Sequence, residues 1–222
     1  MASFKLLGFP HVLNARVAKS KIAGALGGVQ VDIESAESAQ ADMALYKQNC
    51  QPLGASPVLQ TEQGYIFESN AILRHIARSA KGANLYGTTD FEASQVDGWL
   101  DYVTSEIDPS NFPFLAVKFG FMTMDEEKTA ECTKTVLAAL EGINLWLEPR
   151  TFLVGERITI ADVAIFVAVD GFLRNAGAAA EAAAMPNLVR HYLSVLNNAK
   201  VQEAVKAMGG DGEVPEVLAK KE

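Results

Sequence analysis

Several features are scarce in this 222-residue sequence, and each scarcity excludes something. Two cysteines are present, Cys50 and Cys132, in no CxxC pair and no metal spacing. A disulfide framework is therefore not expected, and two reduced thiols in a cytoplasmic protein are the plain reading. Three histidines, His11, His75 and His191, fall on separate predicted elements, so no metal set is expected. No apolar run approaches the roughly 20 residues of a membrane span. Met1 leads straight into Phe4-Lys5-Leu6-Leu7, without a basic region, an apolar stretch and a cleavage site, so no secretory leader is expected. Clustered Lys and Arg are missing before the tail, and 27 acidic against 19 basic residues leave a formal net charge of −8. Phosphate backbones are gripped by clustered cations, so direct nucleic-acid binding is not expected. Gly24-Ala25-Leu26-Gly27-Gly28 lacks the Lys and hydroxyl residue of a phosphate loop.

What is present suits a packed globular protein. Apolar residues make up 49% and charged residues 21%, so a sizeable core is expected. The first third alternates short strands with helices. Phe4 to Leu7 reads as a strand ended by Gly8 and Pro10. Asn14 to Ala25 reads as a helix closed by Gly27-Gly28, with Val17, Ile22 and Ala25 apolar among Arg16, Lys19 and Lys21. Val29 to Ile33 alternates as a strand does, and Ser38 to Tyr46 is a weaker helix. Pro57-Val58-Leu59 and Tyr65-Ile66-Phe67 flank a turn at Gln63-Gly64 and predict a hairpin. Ser69 then opens a helix. This β-α-β-α-β-β-α order is that of a thioredoxin-like fold; periodicity does not supply the strand order.

Beyond a linker at Lys81 to Thr89 the pattern is helical. Phe91 to Ile107 predicts a helix that Asp108 to Pro113 breaks. Glu126 to Leu147 is a long amphipathic stretch, and further helices start near Ile160, Pro186 and Val201. Ala176 to Ala184 reads as a loop with helical tendency. Phe112, Phe114, Phe119 and Phe121 suit either an apolar substrate pocket or burial between helices. The expected organisation is a thioredoxin-like domain over residues 1–82, an all-helical domain over 90–208 and a linker or tail over 209–222.

Three constellations carry chemistry. In Gln51-Pro52-Leu53-Gly54-Ala55-Ser56-Pro57, a proline follows a Gly-containing turn and precedes a strand. A cis Ser56–Pro57 bond would turn the Ser56 N–H and C=O outward, where a peptide-like ligand can pair as an added strand; the same residues also read as an ordinary proline loop. In Phe67-Glu68-Ser69-Asn70, a strand gives way to a helix, whose first N–H groups lack partners and favour anions. Ser69 could receive a ligand carboxylate and Glu68 an α-ammonium, as a γ-glutamyl group requires; Ser69 also reads as a plain helix cap. In Thr159-Ile160-Ala161-Asp162, Thr159 caps a helix while Asp162 returns a bond to the Thr159 N–H, a structural capping box.

These three motifs, in this order and spread over nearly the whole chain, resemble the glutathione transferase superfamily. A narrower resemblance, through Phe67 to Ile72 and Thr151 to Asp162, with Asn14-Ala15-Arg16 and Asn111 to Phe114, is to the gamma-subunit family of translation elongation factor 1B. The resemblance implies a thioredoxin-like domain followed by an all-helical domain, α/β then all-α. It implies a ligand or co-substrate that is glutathione or a related γ-glutamyl thiol, held by Ser56, Pro57, Glu68 and Ser69. It implies a scaffold that assembles the guanine-nucleotide exchange complex with the other elongation factor 1B subunits, with homodimer formation possible in such a fold. Members of that narrower family carry a charged linker and a separate C-terminal domain, so the Gly-rich end corresponds to the start of that linker. The alternative is an active S-transferase using glutathione or a larger derived thiol. Transferases of the superfamily stabilise the thiolate with a Tyr, Ser or Cys just after the first strand. Gly8 to Arg16 contains none of these, which leaves Arg16, Asn14 and His11 as the candidate catalytic groups.

Overall fold

The structure, a computed structural model, describes residues 2–9, 14–118, 120–175 and 179–218. The chain divides into two compact units, residues 1–86 with 199–212, and 87–198 with 213–222.

The first unit is built on four strands: β1 (Ser3–Leu7), β2 (Gln30–Glu34), β3 (Val58–Thr61) and β4 (Gly64–Phe67), in the spatial order β2-β1-β3-β4. β1 runs parallel to β2 and antiparallel to β3, and β3 pairs antiparallel with β4. Four helices join them in chain order: α1 (Ala15–Gly27), α2 (Glu37–Gln40), α3 (Met43–Asn49) and α4 (Ser69–Ser79). The stretch expected as one helix after β2 is therefore two, because Asp42 accepts from the Leu45 N–H and starts α3 afresh. α1 ends where Gly28 takes a left-handed conformation with φ of 66°, the helix stop that the double glycine predicted. Leu6, Val17, Val58, Leu59, Ile72, Leu73 and Ile76 are fully buried between the sheet and the pair α1 and α4. Each such side chain contributes about 1.5–3 kcal/mol of burial.

The second unit is helical: α5 (Asp90–Tyr102), a π-helical turn (Val103–Ile107), α6 (Asp108–Lys118), α7 (Glu126–Trp146), α8 (Ile160–Asn175), α9 (Ala179–Ala184) and α10 (Pro186–Leu196). Two expectations need correction. No break falls at residues 108–113: the π-helical turn over Val103–Ile107 runs directly into α6, and Pro109 and Pro113 both lie within that continuous helical passage. The part of the Ala-rich segment that is described, Ala179–Ala184, is helix rather than loop. α8 is buried on every side from Ala161 to Val169, as a central helix must be when it is apolar all round.

The last helix, α11 (Ala199–Ala207), belongs to the first unit and packs on α1, where the Lys200 ammonium reaches the Leu26 carbonyl at 3.3 Å. The expected helical domain over 90–208 thus loses its last element to the first unit. The expected tail is also structured in part. Arg174 donates to the Glu213 carbonyl at 2.7 Å, and Glu216–Leu218 forms a 3-10 turn in the second unit.

Candidate functional site

The site lies at one end of the sheet in the first unit. In the ladder Leu7 faces Val58, and Val58 faces Phe67. One step further on, Gly8, Pro57 and Glu68 leave the sheet side by side, since facing residues of antiparallel strands sit about 4.5–5.5 Å apart. Gly8 is needed there: a Cβ on it would lie 2.8 Å from Val17 Cγ2 and 3.4 Å from Pro57 Cβ. That close approach also brings the start of α1 to the same corner.

The Ser56–Pro57 peptide bond is cis. The loop before it is held from three sides. The buried Gln51 accepts through Oε1 from the Leu53 and Ala55 N–H groups at 2.7 and 2.8 Å. The Tyr46 hydroxyl donates to the Ala55 carbonyl at 3.0 Å, and the Gln40 amide to the Gly54 carbonyl at 2.9 Å. Burial raises the Tyr46 hydroxyl pKa, with the nearby Cys50 adding to the shift, so this donor keeps its proton. With the loop so fixed, the Ser56 backbone makes no hydrogen bond among the described residues. Its N–H and C=O are unpaired among the described residues where the chain enters β3, the strand between β1 and β4.

The second wall is the start of α4. Glu68 has φ of 67° and ψ of 117°, a conformation that side-chain-bearing residues rarely adopt, and its exposed side chain makes no bond to the helix it precedes. Such backbone strain, about 1–3 kcal/mol, persists where the surroundings impose it. The Ser69 hydroxyl likewise makes no hydrogen bond among the described residues, so it does not act as the alternative cap. α4 therefore presents its first N–H groups and its positive dipole end without an acid in its first turn.

The structure brings Ser56, Pro57, Glu68 and Ser69 to one corner. Asn14 stands before α1 with no capping bond, its carbonyl accepting from Val17 and Ala18, and Arg16 is exposed on the first turn of that helix. His11 lies outside the described residues. A residue that sequence reasoning missed is Lys19, which is 5% exposed and donates from Nζ to Asn70 Oδ1 at 2.5 Å. Its spacing held a signal: Lys19 stands three and four residues before the buried Ile22 and Ala23, on their stripe of α1.

The other singled-out residues are elsewhere. Asp162 accepts from the Thr159 N–H at 2.7 Å and its hydroxyl at 2.9 Å, from the Leu153 N–H at 2.9 Å, and meets His191 Nε2 at 2.8 Å, all of it buried. His191 is thus an internal partner of the α8 start. His75 packs edge-on against Phe4, and burial followed by the Arg78 charge lowers its pKa. Phe112 and Phe121 are 63% and 83% exposed, so they are not buried between helices of this chain; Phe119 and the Phe114 side chain fall outside the described residues. Among the described residues no cluster of His, Cys, Asp and Glu could hold a metal, and no helix is long and apolar enough to cross a membrane.

Family models describing the glutathione S-transferase N-terminal and C-terminal domains match residues 2–78 and 102–198. The chain belongs to the glutathione S-transferase family. Its fold agrees with solved structures of that family: glutathione transferase F2 from Populus trichocarpa has a TM-score of 0.80 at 18% identity, covering 93% of this chain and 99% of that one. A glutathione S-transferase-I bound with lactoylglutathione has a TM-score of 0.78 at 22% identity, covering 93% and 100%. At such identities the likeness shows the fold alone. Among curated relatives, elongation factor 1-gamma of Trypanosoma cruzi is 43% identical over 200 residues, 88% of this chain and 48% of that protein. The chain spans about half the length of the curated relatives it matches first.

Proposed function

We propose that this chain is the transferase-like scaffold region of an elongation factor 1B gamma subunit, a cytoplasmic module that holds the exchange-catalysing subunits and keeps a binding site for glutathione or a related γ-glutamyl thiol. The observation that carries the scaffold reading is the 43% identity to an elongation factor 1-gamma over most of this chain. The observation that supports the thiol site is the corner itself: a Ser56 backbone unbonded among the described residues, one step from the Val58–Phe67 pair, and an α4 start with no acid in its first turn. The first suits a ligand's peptide backbone. The second suits its γ-glutamyl carboxylate, with Glu68 free to accept from the α-ammonium. The test is co-purification of the chain with recombinant exchange-catalysing subunits. Stoichiometric retention on the partner is expected; elution of the chain alone at micromolar concentration would remove the scaffold reading.

The same corner favours a second reading, an S-transferase using glutathione or a larger glutathione-derived thiol. Asn14 and Arg16 stand at the start of α1, where an amide donor or a guanidinium could stabilise a thiolate, and His11 is the third candidate. A saturable rate with glutathione and an aromatic halide, lost in Arg16→Ala, would establish it. A rate equal to the uncatalysed one would leave binding without catalysis.

A further inference from the structure

α7 carries two stripes at helical spacing; one is packed inside the chain and the other faces a groove. Cys132, Val136, Ala139, Leu140 and Ile143 form the buried stripe. Beside it Ala130, Thr133, Leu137 and Glu141 recur at three- and four-residue steps and so share a second face. That face lines an open groove of about 750 Å³, joined by Met124 and Glu126 where α7 begins and by Ala138 further along. Ala130 and Ala138 are exposed there, and Leu137 is half-buried. Further apolar surface lies in the turn just before Met124, where Phe121 and Met122 are 83% and 43% exposed. Their N–H groups both donate to the Ala116 carbonyl, at 2.8 and 3.3 Å, which fixes them at the end of α6. Uncovered apolar surface gathered in one place on a folded unit marks where another molecule binds.

Charge decides what fits. Over residues 87–198 acidic side chains outnumber basic ones more than two to one, whereas over residues 1–86 the basic ones lead. The groove follows the first pattern, with Glu126 and Glu141 the outermost α7 residues that line it and Lys134 between them. An acid in the first turn serves the helix itself, but Glu141 lies far along α7, where the helix start gains nothing from it. A second copy of the same groove is a poor occupant. Run parallel and in register, two copies set Glu126 on Glu126 and Glu141 on Glu141; run antiparallel, they set Glu126 on Glu141 at both ends and Lys134 on Lys134. Phosphate backbones and anionic lipid surfaces are repelled by the same acids. A helix with an apolar stripe and basic ends is complementary throughout. From Glu126 to Glu141 the groove spans about 22 Å at 1.5 Å per residue, so about four turns of such a helix cover it. We propose that this flank of α7 docks an amphipathic helix of a partner protein, apolar along the groove and carrying Lys or Arg at the two ends. The inference rests on the scaffold reading above and deepens it, by naming the surface that holds the partner subunit.

The experiment measures binding of the recombinant exchange-catalysing subunits to four forms of the whole chain: unaltered, Glu126→Lys with Glu141→Lys, Glu127→Lys with Glu131→Lys, and Ala138→Arg. Glu127 and Glu131 lie on α7 outside the groove, so that pair changes the net charge and the first helical turn by the same amount. Reversing the groove pair should weaken binding about tenfold at low salt, and less as salt rises, because rim charges act through a screened field. Reversing the outside pair should change it less than about twofold, since charges away from the contact are screened by solvent. Ala138→Arg sets bulk and a cation in the groove and should also weaken binding about tenfold. Hydrogen exchange on the partner should show the protected segment to be a net-basic helix. Unchanged binding in either groove variant, equal weakening by the two glutamate pairs, or a protected segment that is net acidic or not helical would overturn the proposal and leave the scaffold reading standing. Absence of binding by the folded, unaltered chain would remove the scaffold reading and this inference together. If the doubly reversed groove variant fails to fold by circular dichroism, Ala138→Arg, an exposed position, decides alone.

Discussion

The starts of α8 and α4 are built from similar parts and finished differently. At α8, Asp162 closes the helix from inside, accepting from Thr159 twice and from Leu153 while meeting His191. α5 is closed in the same manner: the Thr89 hydroxyl accepts from the Glu92 N–H, and the Glu92 carboxylate accepts from the Thr88 N–H and hydroxyl and from Arg157. At α4 the residue in the capping position turns its side chain away, at a backbone angle that carries strain. One kind of start uses its anion-binding capacity for folding. The other leaves it available, and that difference marks the α4 start as the candidate ligand site.

The largest effect expected from this contrast is at α8. Asp162→Ala should cost about 3–5 kcal/mol in denaturant unfolding, because it strips buried donors and His191 of their partner. A loss under about 1 kcal/mol would mean that the closed start contributes little. Glu68→Gly should act in the opposite direction, raising stability by about 1 kcal/mol as the positive φ becomes unstrained, while weakening glutathione binding. Ser69→Ala should change stability by less than about 0.5 kcal/mol, since its hydroxyl makes no bond among the described residues, yet it should also weaken glutathione. Stability loss at Ser69 comparable to that at Asp162 would erase the distinction between the two starts.

The smallest effect is electrostatic. Arg157 first, then Thr88, hold the Glu92 carboxyl down to about 2 from its ordinary 4.5. A depressed carboxyl pKa adds stability above the unfolded value and loses it as pH falls through the folded one. Stability of the second unit should therefore fall between about pH 4.5 and pH 2, and Glu92→Gln should flatten that limb. The pair is partly solvated, with side chains 30% and 21% exposed, so the change should be slight. An acid limb identical in Glu92→Gln would assign it to other carboxylates.

Much of this was legible in the residues, and the limits are physical. The order of strands and helices in the first unit followed from apolar spacing and from Gly and Pro punctuation, and the hairpin from its turn residues. The strand order was not legible, because periodicity records which face a residue covers and not which strand lies beside it. The unbroken passage from α5 into α6 was hidden by Pro109 and Pro113, which in isolation read as breakers. The return of α11 to α1 was hidden for a different reason: an amphipathic helix does not name its partner. At the site, Ser56, Pro57, Glu68 and Ser69 are candidates because their residue types advertise turn and helix-start chemistry, and that much is readable without a structure. Lys19 was overlooked because a lysine among Arg16 and Lys21 looks like solvated surface, and only packing reveals that it is covered. His191 was overlooked as a partner of Asp162 because nearly thirty residues separate them.

The central claim is that the open start of α4 and the Ser56 backbone, unbonded among the described residues, together hold a γ-glutamyl ligand. Titrating the ¹⁵N-labelled chain with glutathione and following amide shifts tests it most directly. The account predicts saturating shifts at Ser56, Glu68, Ser69 and Asn70 and none at Thr159 to Asp162. Unmoved amides at Ser56 and Ser69 in saturating glutathione, with the protein folded, would contradict it.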